Sequence, residues 1–187
     1  MSPEPVSVTL EFTPNPSSLK YAVNRRLLER GTADYRDADA ARGSSSLAAK
    51  LFASGGVAGV MVGPDFVTVT KAEEGDWDTV HAHTTEIIRA HLEAGEPAVE
   101  SMPAAVAATS GGTEDEKRIR EVIDREIRPA VAMDGGDIVF DRYQDGVVFV
   151  HLHGACSGCP SSTMTLRAGI EQRLRQLVPD VREVVAI

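Results

Sequence analysis

Apolar and polar residues alternate from Val6 to Phe12, with Val6, Val8, Leu10 and Phe12 on one side. A two-residue period predicts a half-buried strand. Thr13-Pro14-Asn15-Pro16-Ser17-Ser18 follows. Its prolines fix φ and withhold donors, so a stiff turn is expected. Leu19 to Val23 fits a second strand, whereas Gly31 to Gly43 is polar and suggests no clear element. Ser44, Ser45 or Ser46 is placed to cap a helix from Leu47 to about Ser54, with Leu47, Leu51 and Phe52 inward and Gly55-Gly56 ending it. Val57 to Val62 and Phe66 to Thr70 are β-rich runs joined by Gly63-Pro64-Asp65, a hairpin pattern. Gly75 to Ala94 predicts a helix with Trp77, Val80, Ile87, Ile88 and Leu92 on its apolar side, stopped by Gly95 and Pro97.

The pattern lapses from Ala98 to Thr113, a stretch rich in Ala, Ser and Gly that carries one charge, Glu100. It reads as an interdomain linker. Periodicity resumes after Thr113-Glu114-Asp115-Glu116, a capping-box pattern. Ile119, Val122, Ile123, Ile127 and Val131 recur at helical spacing, and Pro129 is expected to kink or end that helix. Asp134-Gly135-Gly136-Asp137 reads as a turn. Ile138 to Tyr143 and Val147 to His153 flank Asp145-Gly146, a type I′ hairpin signal. Leu166, Ile170, Leu174 and Leu177 form a helical stripe closed by Pro179, and Val181 to Ile187 reads as a last strand. The expected fold class is α+β: two small two-layer α/β-sandwich domains, 1–97 and 114–187, joined by a flexible linker, 98–113. The second domain has the order α-β-β-α-β.

Composition narrows the function. The chain has 187 residues, 42% hydrophobic and 25% charged, with a net charge of −9. That balance argues against nucleic acid, whose backbone is bound by clustered Lys and Arg. No apolar run approaches a membrane span. Met1-Ser2-Pro3-Glu4-Pro5 lacks the basic and apolar regions of a signal peptide and the Arg-rich character of a transit peptide, so a cytosolic protein is expected.

The chemistry concentrates in Gly154-Ala155-Cys156-Ser157-Gly158-Cys159-Pro160, which holds the chain's only two cysteines. They lie between a predicted strand and a predicted helix. Pro160 suits the first helical position, and unpaired amides of that first turn lower a thiolate pKa and favour an anionic group. Gly154 and Gly158 allow the backbone to approach such a group closely. Four readings follow. An iron–sulfur cluster usually takes four Cys ligands, so two chains related by a two-fold axis would supply them. A dithiol redox centre is the second, although thioredoxin-type motifs follow a βαβ strand and this one follows a hairpin. Zinc is the third, because His151 and His153 share a strand face near Cys156 and Cys159; solvated histidines are the simpler account. Cysteines packed as small hydrophobes are the fourth. His81, His83 and His91 share a predicted helix without i, i+4 spacing and read as surface residues. Asp134 and Asp137 read as turn residues with Asx hydrogen bonds.

The whole pattern resembles the Nfu (NifU-like) family of iron–sulfur cluster scaffold and carrier proteins. In the second domain the likeness runs from Ile119 to Val185 through Ile127-Arg128-Pro129, Asp134-Gly135-Gly136-Asp137, Asp145-Gly146 and the cysteine motif with Ser161-Ser162. In the first it rests on Thr13-Pro14-Asn15-Pro16, Ser18-Leu19-Lys20-Tyr21, Ser46-Leu47-Ala48 and Gly63 to Lys71. The resemblance implies that Cys156 and Cys159 ligate a [4Fe-4S] cluster shared between two chains, with [2Fe-2S] as the other nuclearity. It implies a homodimer when loaded, an upstream cluster donor, transfer to apo-protein clients, and no enzymatic activity. It also implies a partner-recognition role for the first domain. The organellar relatives carry a targeting extension, so a bacterial cytoplasmic protein is expected here.

Overall fold

The computed structural model describes residues 5–102, 112–158 and 160–187, without the side chains of 160–163. The chain divides into two compact units, Met1–Pro103 and Ala104–Ile187. Both mix sheet and helix, as the α+β expectation requires.

The first unit contains strands β1 (Val8–Phe12), β2 (Ser18–Val23) and β3 (Ala33–Tyr35), and helices α1 (Ala38–Ala41) and α2 (Ser46–Ala53). Strands β4 (Val57–Val62) and β5 (Phe66–Lys71) and helix α3 (Trp77–Glu93) complete it. The strands form one antiparallel sheet in the order β1-β2-β5-β4-β3. Central β5 is buried from Phe66 to Val69, while β2 buries alternate residues Leu19, Tyr21 and Val23. The polar stretch without a predicted element holds β3 and α1; Ala33, Tyr35 and Ala41 are its buried anchors.

Of the three candidate serines, Ser45 caps α2: its Oγ accepts the Ala48 N–H at 3.0 Å. The same hydroxyl donates to the Ala98 carbonyl at 2.6 Å. Ala98 is buried in this unit's core, and the Glu100 and Ser101 N–H groups donate to the Ser44 carbonyl. Glu100 also accepts the Ser46 N–H at 2.9 Å. Residues 98–101, assigned to the linker by composition, are thus tied to the first unit. Small side chains let the backbone run close to the end of α2. Residues 103–111 of the expected linker lie outside the described residues.

The second unit opens with α4 (Glu114–Val122), a π-helical turn (Ile123–Ile127) and α5 (Arg128–Met133). Thr113 and Glu116 form the expected capping box. Of the two expected outcomes, a kink or an end, Pro129 does not end the helix; the helix is instead irregular just before it. In the wider turn before it, the Arg128 N–H donates to the Ile123 carbonyl five residues back. Pro129 therefore falls in the first turn of α5, where a missing N–H leaves no bond unmade. Strands β6 (Gly136–Gln144) and β7 (Val147–Gly154) form the predicted hairpin, with positive φ at Asp145 and Gly146. Helix α6 (Pro160–Leu177) returns the chain so that β8 (Glu183–Ala186) lies parallel to β7.

The helices cover one sheet face. Ile119, Ile123, Ile170 and Leu174 pack against Ile138, Val148, Val150 and Leu152. Each such side chain contributes about 1.5–3 kcal/mol on leaving water. No helix among the described residues is long and apolar enough to cross a membrane.

Candidate metal centre

Strand β7 ends where Gly154 pairs with Gly136 of β6. Gly154 has φ +58, a left-handed conformation that turns the chain out of the sheet. The turn is held by main-chain bonds. Ala155 N–H donates to the Gly135 carbonyl at 3.1 Å, Cys156 N–H to His153 at 3.3 Å, and Ser157 N–H to Gly154 at 3.1 Å. The Ser157 hydroxyl reaches the same Gly154 carbonyl at 2.8 Å. Gly158, with φ +79, carries the chain towards α6.

Cys156 is 8% exposed and belongs to the core of this unit. Its sulfur lies over Gly136: a Cβ at that position would sit 2.3 Å from Sγ. Burial pushes the thiol up to about 12, and the nearby charges of Asp134 and Asp137 add to the effect. The expectation of a lowered thiolate pKa fails for Cys156, because the sulfur points into the apolar layer. Cys159, the second expected ligand, lies outside the described residues.

Beside this loop stands a buried ion pair that sequence reasoning missed. Asp137 is 2% exposed. Arg128 grips it with two bonds, Nε to Oδ1 at 2.9 Å and Nη2 to Oδ2 at 2.8 Å, and also reaches Asp124 at 3.2 Å. Asp137 further accepts the Ile138 N–H at 2.8 Å. A guanidinium and a carboxylate in this fork geometry hold the first residue of α5 to the start of β6. The loop's floor, Gly135-Gly136, lies between them. The available signal was the proximity of Arg128 to the double-glycine turn. A turn reading accounts for Asp137 locally and gives no reason to look for a cation.

The other candidates do not assemble. His151 and His153 alternate with buried neighbours on β7, their ring centroids 6.3 Å apart, and His151 Nε2 lies 3.6 Å from Asp141. No group of three or more His, Cys, Asp or Glu is placed to hold a metal among the described residues. His81 stacks on Tyr21, with Nδ1 3.3 Å from its hydroxyl. His91 corrects the surface reading: it is 2% exposed, with Nε2 3.0 Å from the Pro97 carbonyl and Nδ1 3.1 Å from both Lys50 and Glu96. The turn after α3 folds Glu96 and Pro97 back over the ring.

Comparison with known proteins assigns a family to each unit. Residues 8–95 match the family described as scaffold protein Nfu/NifU N terminal, and residues 119–185 match the NifU-like domain. The human "NFU1 iron-sulfur cluster scaffold homolog, mitochondrial" is 40% identical over 179 residues, covering 95% of this chain and 70% of that protein. "NifU-like protein 5, mitochondrial" from Arabidopsis thaliana is 37% identical over 183 residues, covering 95% of this chain and 66% of that protein. A solution structure of a NifU-like protein from Saccharomyces cerevisiae is a distant neighbour, with 21% identity and a TM-score of 0.48 over 54% of this chain and 90% of that one.

Two small α/β units, whose matched families are described as scaffold protein Nfu/NifU N terminal and NifU-like domain, place the chain among scaffold-type proteins. The chain belongs to the Nfu/NifU-like family of iron–sulfur cluster scaffold proteins. The relatives' names overturn the expected bacterial cytoplasmic location, since proteins matching 95% of the chain are named mitochondrial. That expectation rested on the first few residues, whereas the relatives extend beyond the matched stretch.

Proposed function

We propose that this chain receives an iron–sulfur cluster on Cys156 and Cys159, shares it as [4Fe-4S] with a second copy, and passes it to apo-protein clients. The 98–113 stretch serves as a tether outside its packed end, and the first unit recognises partners. The observation that carries the reading is the setting of Cys156. A loop shaped by two positive-φ glycines carries one of the chain's two thiols, which rests buried over Gly136, where the missing side chain leaves room for its sulfur. Thiolate sulfur is the donor that iron–sulfur clusters take, and no carboxylate or imidazole occurs from Gly154 to Gly158.

Two cysteines per chain supply half the usual ligand set, which supports a shared site on a two-fold axis. Burial supports transfer over storage. Cys156 must leave the core and lose its proton to act as a ligand, and that cost weakens its hold on the cargo.

Iron and acid-labile sulfide per chain after anaerobic reconstitution, with mass in solution, test the proposal. The expected result is about two irons and two sulfides per chain on a dimer. About one of each on a dimer would mean [2Fe-2S]. Absence of sulfide, with a reversible disulfide or bound zinc, would leave a dithiol or zinc module in its place. Cys156→Ser and Cys159→Ser are each expected to abolish cluster retention.

A further inference from the structure

Charge is distributed unevenly along the two helices that meet the cysteine loop. The segment from Glu114 to Met133 runs towards the loop and α6 runs away from it. Their loop-distal parts carry exposed charges, among them Glu121, Arg125 and Arg175. Their loop-proximal parts differ. Pro129, Ala130 and Met133 on one helix, and Met164, Thr165, Ala168 and Gly169 on the other, are all exposed and all uncharged, and Asp134, the residue after Met133, is the exposed charge that follows them. The two arginines in this region turn elsewhere, Arg128 to Asp137 and Arg167 to the Val184 carbonyl.

Two details make this more than a neutral surface. Met133 and Met164 are 77% and 74% exposed. Between the helices lies an open cleft of about 390 Å³, with Ala130, Thr165, Leu166 and Gly169 in its lining. The paired Glu126 and Arg173 line it at the loop-distal end. Gly169 sits in the middle of α6, where glycine is among the poorest helix formers. A Cβ there would meet nothing within 4 Å. Packing within the chain therefore gives no reason for the missing side chain. A backbone approaching from outside does.

The geometry points to this face as the contact between two copies of the chain when the cluster is held. The inference rests on the shared-cluster reading above. Four thiolates from two C-x-x-C loops bring the loops together, and the surfaces beside each loop must then close on one another. In a two-fold contact the same patch meets itself, so α6 of one copy crosses α6 of the other near Gly169. Met133 and Met164 are flexible apolar side chains suited to seal the contact around the loops.

The test compares full-length wild type, Gly169→Trp and the double variant Met133→Glu/Met164→Glu. Each is melted as the apo chain, then reconstituted anaerobically with ferrous iron and sulfide. All the altered positions face solvent or open space, so the apo melting temperatures are expected to match wild type, and Gly169→Ala is expected to melt higher. Loaded wild type is expected at twice the chain mass. Both disruptive variants are expected to lose dimer at least tenfold and iron at least fivefold. Variants that load and dimerise like wild type overturn the interface. If they dimerise normally but fail to pass iron to an apo client, the face belongs to the client and the inference is equally overturned. A wild-type chain that takes up no sulfide fails before this step, and the carrier reading falls with it.

Discussion

Replacing Gly136 by Ala tests whether the loop is built around sulfur. The added Cβ would lie 2.3 Å from Cys156 Sγ and 3.2 Å from both Cys156 Cβ and Cys156 N. The first distance is more than an ångström inside ordinary contact, and the second is tight but tolerable. Cys156 must therefore leave its place or push the loop off β6. Overpacking of this kind costs about 1–3 kcal/mol. Expulsion of the sulfur also forfeits its burial, so a loss of about 2–3 kcal/mol is expected. For a unit of this size that is a fall of roughly 10–20 °C in melting temperature. In a Cys156→Ala background the 2.3 Å contact is gone, and Ala in place of Gly recovers about 0.4–1 kcal/mol through the unfolded chain. The substitution should then cost under about 1 kcal/mol, a coupling of about 2 kcal/mol in the double-mutant cycle. Calorimetry follows the second unit. The single tryptophan, Trp77, lies in the first unit, and its fluorescence provides an internal control. Alkylation of Cys156 in the apo chain should become faster in Gly136→Ala. An equal cost of Gly136→Ala in both backgrounds would refute the reasoning, because the sulfur would then not be what the glycine accommodates.

Three further outcomes follow from the packing. Arg128→Leu leaves the buried Asp137 carboxylate without its guanidinium. Breaking a buried pair costs about 3–5 kcal/mol, and the 29% exposure of Arg128 places this one near the lower figure; a loss under about 1 kcal/mol in urea titration would show that water replaces the arginine. Ser45→Ala removes the α2 cap and the bond to the Ala98 carbonyl together, a cost of about 2–3 kcal/mol read by Trp77 fluorescence in denaturant; an unchanged midpoint would mean that residues 98–101 do not hold the helix end. Burial raises the Cys156 thiol from 9.0 to about 12, so the folded chain holds that proton more tightly than the unfolded one. Its contribution is complete below pH 9 and is lost as pH rises towards 12, with a limiting slope of about 1.4 kcal/mol per pH unit between those values. Wild type should lose stability relative to Cys156→Ala over that alkaline window, and parallel pH curves would contradict the burial of the thiol.

Much of the fold was legible along the chain, where neighbouring residues decide the conformation. Alternation marked β1, and Asp145-Gly146 marked a turn whose two positive φ values few other pairs accept. Thr113 with Glu116, and a serine before Leu47, marked helix starts because caps act over three or four residues. The cysteine pair stood out by composition and spacing. Other features depend on residues far apart or on the balance of packing. The sheet order β1-β2-β5-β4-β3 places Ala33–Tyr35 at an edge, in a polar stretch with no local strand signal. Pro129 sits within a continuous helical segment because a wider turn precedes it, one that keeps both Ile123 and Ile127 in the core. His91 is buried because Glu96 and Pro97 fold back over it. Asp137 became half of a buried pair because the first residue of α5 reaches the start of β6. The Cys156 thiol is raised rather than lowered because its sulfur is buried in the core of this unit. Local sequence was enough to mark the turns, the caps and the positions of the thiols; which residues left water was settled by packing, since burial is set by the whole packed layer and not by the neighbours along the chain.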